Sequence, residues 1–341
     1  MSSDSQDSKP GRRFRILALD GGGVKGAYTA SVLHTLEELT GKSVGDHFDL
    51  ITGTSTGGII AVAIGLGVPL KDVLDLYVEK GPAIFPPPPS GRLAWLSDWR
   101  RRLWNPKHDQ RILHDAVHDV LGEQTFGESK NRLVIPSFNA QSGDIQLFKT
   151  PHHPDYRMDC RLPASTVAMA TSAAPTYLSA HQDHDGRVSI DGGVWANCPV
   201  MVGLVEGIAK LGWPREKIDI LSVGTTSAPF HIAESKQNGG LLSWGTGIVE
   251  IFQEAQGKGM LGLARALVGE KLTRIDEVTS PNRFVLDGAD EVGNLKALGE
   301  NSARQNLSKV EEHFLSNPAD RYTPIAPLPI KSSKPVGAAT A

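Results

Sequence analysis

Ser55 is the residue of this chain best placed for covalent chemistry. It stands in Gly53-Thr54-Ser55-Thr56-Gly57, after the apolar run Phe48-Asp49-Leu50-Ile51 and before Gly58-Ile59-Ile60-Ala61-Val62-Ala63-Ile64. The pattern predicts a strand, a sharp turn and a helix that is apolar on every side and therefore buried. Gly-x-Ser-x-Gly in that setting is a nucleophile elbow. The serine occupies a strained apex, and glycines two residues away on each side keep side chains out of the turn. The helix that starts there aims unpaired N–H groups and its positive end at charge developing near Ser55 Oγ. The plain alternative is a glycine-rich turn with an idle serine.

A hydroxyl near neutral pH needs a base beside it. In the order Ser, Asp or Glu, His of an α/β-hydrolase, Asp191 would be followed by His231 or His313. His231 falls in a polar stretch (227–240) and His313 within the last long helical pattern, so neither stands where a strand meets a loop. Asp191 itself is the more economical partner. The strand Arg187-Val188-Ser189-Ile190 delivers it, and Gly192 and Gly193 after it let a neighbour approach closely. An Asp-Gly turn after a strand is the ordinary alternative.

A second glycine run, Asp20-Gly21-Gly22-Gly23-Val24-Lys25-Gly26, follows the strand Phe14–Leu19 and precedes a helix from Ala27 to about Leu39. It fits a dinucleotide fingerprint, a tight turn, or an oxyanion hole. The fingerprint wants an acidic residue ending a second strand about 20 residues on, where this chain is still helical at Thr35-Leu36-Glu37-Glu38-Leu39. An oxyanion hole needs bare amides near an ester oxygen, and the elbow one strand later favours that reading.

The remaining elements read as an α/β pattern. Helices are expected at 69–80, 109–121, 163–173, 200–211 and 291–315. Strands are expected at 132–138, 145–148 and 218–223, with a late one at Arg283-Phe284-Val285-Leu286. No repeat or linker divides residues 13–316, which read as one domain between a polar tail at 1–12 and a loose tail at 317–341. Residues 81–107 interrupt the pattern with Pro86-Pro87-Pro88-Pro89 and with Trp95, Trp99 and Trp104 around Arg100, Arg101 and Arg102. That stretch is a candidate lid, and its arginines a candidate anion site.

A net charge of −3 predicts no general attraction to nucleic acid or anionic lipid. The two cysteines, Cys160 and Cys198, make neither a disulfide framework nor a zinc cluster and suit a reducing compartment. The first residues lack the basic start and apolar stretch of a signal peptide, and no apolar run is long enough to span a bilayer. These features lead us to expect a cytoplasmic protein.

Asp-Gly-Gly-Gly-Val-Lys-Gly at 20–26, Gly-Thr-Ser-Thr-Gly at 53–57 and Asp-Gly-Gly at 191–193 resemble, in order, the three motifs of patatin-like phospholipases. Ser172-Ala173-Ala174-Pro175-Thr176-Tyr177 is similar to the family's segment before the aspartate strand, and the likeness runs over residues 14–315. The resemblance implies a three-layer α/β/α sandwich with a mostly parallel sheet. It implies Ser55 as nucleophile, Asp191 as base of a two-residue dyad, and Gly21, Gly22 and Gly23 as oxyanion loop. Lys25 stands where the family usually has a basic residue, and Gly26, Gly53, Gly57, Gly192 and Gly193 complete the motifs. The implied reaction is metal-independent hydrolysis of membrane glycerophospholipid at the inner face of the membrane. A chain of this kind is also similar to effector phospholipases of antiphage signalling that a cyclic dinucleotide switches on. A constitutive lipase and a non-enzymatic nucleotide-binding module are the alternatives, and a homo-oligomer is compatible with each.

Overall fold

The computed structural model describes residues 11–86, 108–228, 247–280 and 283–325. Its strands are β1 (Phe14–Leu19), β2 (Leu50–Gly53), β3 (Arg132–Asn139), β4 (Asp144–Lys149), β5 (His181–Gln182), β6 (Val188–Asp191), β7 (Ile218–Val223) and β8 (Leu272–Ile275). They form one sheet in the order β5-β6-β3-β2-β1-β7-β8, with β4 also paired to β3. The run from β3 to β8 is parallel, and β4, β5 and β6 join antiparallel. The helices are α1 (Gly26–Thr40), α2 (Thr56–Leu66), α3 (Leu70–Asp75), α4 (Gly81–Ile84), α5 (Gln110–Leu121), α6 (Ala164–Ser172), α7 (Gly193–Ala196), α8 (Val200–Ala209), α9 (Gly247–Val268) and α10 (Val292–His313).

All six residues of β1 are buried, which requires cover on both faces. Leu17 and Leu19 share a core with α1, α2, α6 and α10. Phe14, Ile16 and Ala18 share another with α8 and α9. The alternation of strand side chains thus builds the expected three layers. The expected strand at Arg283–Leu286 is instead a turn, and the outer strand is β8. That strand is only four residues long and carries Arg274, which masks its apolar character. The sequence pattern also passed over α9, whose Gly257, Gly259 and Gly262 lower helix propensity. The helix expected over 69–80 divides at Leu76, where a π turn of Leu76–Lys80 continues α3 into α4.

The geometry of the site is set on β3. One of its edges pairs with β4 from Val134 to Asn139. The other edge is shared: β2 pairs with Arg132, Leu133 and Val134, and β6 with Ser137, Phe138 and Asn139. Since β2 runs parallel and β6 antiparallel to β3, their carboxyl ends meet head-on beside Ile135 and Pro136. Neither strand pairs with Pro136. Its carbonyl faces this gap and accepts from Thr171 Oγ1 at 2.5 Å. In an extended chain the nitrogen faces the same edge, so another residue here would aim an N–H into the gap. Proline has none to satisfy, which is why it is tolerated inside this strand.

Candidate active site

The turn after β2 holds Ser55 at φ 54° and ψ −123°, a left-handed conformation rare outside glycine. Packing keeps it there. A Cβ on Gly57 would lie 2.4 Å from Leu19 O, so only glycine lets the start of α2 press against the end of β1. Gly53 stands in the same tight turn, against Gly57. The Ser55 N–H donates to Thr171 Oγ1 at 3.1 Å, and Thr171 passes the connection to Pro136 O. All of α2 is buried behind the serine, as its sequence predicts.

The opposing strand, β6, ends on Asp191. Ser55 Oγ donates to Asp191 Oδ2 at 2.6 Å, and Oδ1 accepts from Gly193 N at 2.6 Å. Gly192 packs on Pro136 O. Ser55 is 8% exposed and Asp191 4%. Burial pushes the Asp191 carboxyl up from 3.8 to about 6, against the opposing effect of the two hydrogen bonds. A carboxylate made more basic in this way, and bonded to a hydroxyl, can accept that hydroxyl's proton as it attacks.

The glycine loop lies on the other side of Ser55. The amides of Asp20, Gly21, Val24 and Lys25 are engaged by Val223 O, Asn197 O, Leu286 O and Gly22 O respectively. Gly21 was expected to offer its amide to an oxyanion and donates it to Asn197 instead, at 2.9 Å. Among the described residues the Gly22 and Gly23 amides have no acceptor, and both residues line the cleft with Ser55. Gly22 must be glycine, because a Cβ would meet Thr225 Oγ1 at 2.3 Å. Lys25 Nζ turns to Thr226 O at 3.2 Å and braces the loop. Gly26 begins α1 against Thr56 and Tyr77, whose hydroxyls bond to each other.

Sequence reasoning missed the anchor of this loop. Asp20, its first residue, accepts from Arg274 Nη2 at 2.7 Å, and the same guanidinium bonds Asp276 Oδ2 at 3.0 Å and Ser222 Oγ at 2.8 Å. Asp20 and Ser222 are buried, and Arg274 and Asp276 are part-buried. The signal was faint: an arginine within a four-residue apolar run is the kind of charge that a sheet buries only with a partner. Thr171 and Pro136 were missed too, although a proline inside Leu133-Val134-Ile135-Pro136-Ser137-Phe138 hints at an interrupted strand edge.

The cleft over Ser55 is walled by Ile59, Leu76, Ile84, Phe85, Leu113 and Leu178. It opens to solvent on one side, with about 690 Å³ of free space counted to its mouth. No histidine lines the cleft among the described residues. His108 stands behind the wall, its ring edge-on to Phe85 at 5.2 Å and its amide bonded to Tyr177 O, and its Nε2 is engaged by Asp287. His313 is exposed at the end of α10. His231 and the arginines at 100, 101 and 102 lie outside the described residues, as does most of the 81–107 segment. Its described start supplies Gly81, Ile84 and Phe85 to the cleft. Among the described residues no cluster of three His, Cys, Asp or Glu side chains could hold a metal ion.

A family model described as patatin-like phospholipase matches residues 17–204. A cGAMP-activated phospholipase of Pseudomonas aeruginosa is 33% identical over 275 residues, covering 79% of this chain and 80% of the relative. A cGAMP-activated phospholipase of Vibrio cholerae is 37% identical over 254 residues, covering 69% and 71%. Patatin-like protein 1 of Oryza sativa subsp. indica is 30% identical over 354 residues, covering 89% and 84%. With its elbow serine, glycine loop and strand-end aspartate in the order seen in the sequence, this chain belongs to the patatin-like phospholipase family.

Proposed function

We propose that this protein hydrolyses acyl esters of phospholipids with Ser55 as nucleophile and Asp191 as base, and that a cyclic dinucleotide switches the activity on. The observation that carries the chemistry is the 2.6 Å bond from Ser55 Oγ to Asp191 Oδ2. As Oγ attacks the ester carbonyl, its proton passes to Asp191. Negative charge gathers on the carbonyl oxygen, where the Gly22 and Gly23 amides and the start of α2 stabilise it. The proton then goes to the departing lysolipid oxygen. Water, deprotonated by Asp191, attacks the acyl-enzyme and releases the fatty acid, returning Ser55 to its resting state. A carboxylate is a weak base for a hydroxyl, so fixed proximity supplies much of the acceleration.

The activator rests on the relatives: the Pseudomonas and Vibrio proteins bear the name cGAMP-activated phospholipase. A ligand can switch such an enzyme on only by binding its active form better than its resting form. Phospholipid hydrolysis with and without cGAMP tests both parts. Ser55→Ala and Asp191→Ala should each lower it by on the order of 10³-fold or more, and the double variant little further. Near-normal Asp191→Ala activity rejects the dyad. Full activity of nucleotide-free protein rejects the switch. A triple Arg100→Ala, Arg101→Ala, Arg102→Ala protein that cGAMP no longer activates would assign the activator's phosphates to that segment.

A further inference from the structure

The peptide that joins Gly21 to Gly22 is held from one side. The Gly21 carbonyl accepts from the buried Thr225 Oγ1 at 3.2 Å and from Asn197 Nδ2 at 3.4 Å. The Gly21 N–H donates to the Asn197 carbonyl at 2.9 Å, so Asn197 grips this residue by both of its backbone groups. A trans peptide is planar, and its C=O and N–H point in opposite directions. Holding the Gly21 carbonyl therefore turns the Gly22 N–H the other way, away from Asn197 and Thr225. That amide has no acceptor among the described residues, and Gly22 lines the cleft with Ser55.

Asn197 is itself fixed. Its N–H donates to Gln256 Oε1 of α9 at 3.0 Å. The carbonyl of Ala196, just before it, accepts from Thr54 Oγ1, next to the nucleophile, at 2.6 Å. Asn197 thus directly follows α7, the short helix that leads away from Asp191. Its side chain also takes the space that two motif glycines leave open. A Cβ on Gly21 would lie 2.5 Å from Asn197 Oδ1, and one on Gly193 would lie 3.1 Å from it. Gly21, which gives its amide to Asn197 and not to an oxyanion, is therefore glycine for its neighbour's sake. It admits the side chain that holds its own carbonyl.

We propose that Asn197 is a positioning residue: with Thr225 it fixes the plane of the Gly21–Gly22 peptide and so aims the Gly22 amide at the oxyanion formed on Ser55. This assignment rests on the reading of Ser55 as the nucleophile of an ester hydrolase. Asn197 and Thr225 hold the same carbonyl, so either one alone retains part of the hold. Loss of both frees the peptide to turn, and the transition state loses a donor. The apolar walls that receive the acyl chain are left as they were.

The test uses the full chain, with cGAMP present and a water-soluble short-chain ester as substrate. Asn197→Leu, close to asparagine in size but without a donor, should lower kcat by about fivefold, and Thr225→Val by about as much. The double variant should lose on the order of 10²-fold, as for one missing oxyanion donor, which exceeds the product of the single losses. KM should stay within about twofold, and kcat should still rise through a pH of about 6, since the bonds of Asp191 are untouched. A trifluoromethyl ketone reads the same amide without turnover. Ser55 Oγ adds to its carbonyl carbon, the hydroxyl proton passes to Asp191, and the carbonyl π pair becomes the oxyanion. Its Ki should rise by the factor by which kcat/KM falls. Normal kcat in the double variant, single losses that merely multiply, or an unchanged Ki overturns the assignment. So does a loss carried by KM, which would make Asn197 a substrate contact. If Asn197→Leu does not fold, Asn197→Ala takes its place with the same expectations. A wild-type protein that hydrolyses neither this ester nor phospholipid sinks the reading of Ser55, and the assignment with it; an active wild type with unaffected variants sinks the assignment alone.

Discussion

Replacing Asp191 with asparagine should abolish catalysis and stabilise the fold. Burial raises the carboxyl from 3.8 to about 6, and a displacement of about 2.2 pH units at 1.36 kcal/mol per unit is about 3 kcal/mol. Below pH 3.8 the carboxyl is protonated in folded and unfolded chains alike, and Asp and Asn differ little. Between 3.8 and about 6 the unfolded chain ionises first, so the folded state loses stability as pH rises; above about 6 the loss is complete. Asparagine carries no charge and escapes that loss. Its Oδ1 can keep the Gly193 amide and its Nδ2 can donate to Ser55 Oγ, so neither bond is left empty. The variant should match wild type near pH 4 and exceed it by about 3 kcal/mol near pH 8. At ~2.1 cal/mol/K per residue over 341 residues, that is a Tm about 4 °C higher. Calorimetry at the two pH values reads the difference, and hydrolysis should fall by on the order of 10³-fold. In wild type, kcat should rise with pH through about 6 as the base ionises. A variant no more stable at pH 8 than at pH 4, relative to wild type, would refute a buried carboxylate held ionised against its surroundings.

Three more outcomes follow from the geometry. Gly22→Ala, which drives a Cβ into Thr225, should cost on the order of 10²-fold in kcat, and added Thr225→Gly should recover part of it; no recovery would dissociate the loss from that contact. Arg274→Met strands the buried Asp20 carboxylate and should lose about 3–5 kcal/mol in urea unfolding. A further Asp20→Asn change should restore much of that stability, and a double variant as weak as the single would remove the pair as the cause. His313→Ala should leave turnover within a few-fold, since that side chain is exposed at the far end of α10; a collapse in a folded protein would reopen the triad.

Ser55 was legible because the elbow's signature is local: the serine and the two glycines that leave room for the turn lie within Gly53–Gly57. β1 was legible for the same reason, being apolar on both faces. Asp191 could be paired with Ser55 only by its place at a strand end and by the order of motifs. What joins them, two strands sharing one edge of β3, is a pairing pattern that no local window contains. Arg274 was hidden by the same limit, since its partner Asp20 lies 254 residues away. At Arg283–Leu286 a short run rich in β-formers, Phe284-Val285-Leu286, suggested a strand, but the structure uses it as a turn whose Leu286 carbonyl receives the Val24 amide. There the tertiary contact overrode propensity.

Because Ser55 and Asp191 hang from one edge of β3 and share Thr171 and Pro136 as a brace, their spacing is measured along a single strand. The walls that close over them come from elsewhere: the π turn with Tyr77, the start of the 81–107 segment, α5 and the turn carrying Leu286. Two of these walls are tied back to the site: the Tyr77 hydroxyl bonds Thr56, next to Ser55, and the Leu286 carbonyl receives the Val24 amide of the glycine loop. A shift of either wall would therefore be felt at the elbow or the glycine loop as well as at the mouth of the cleft.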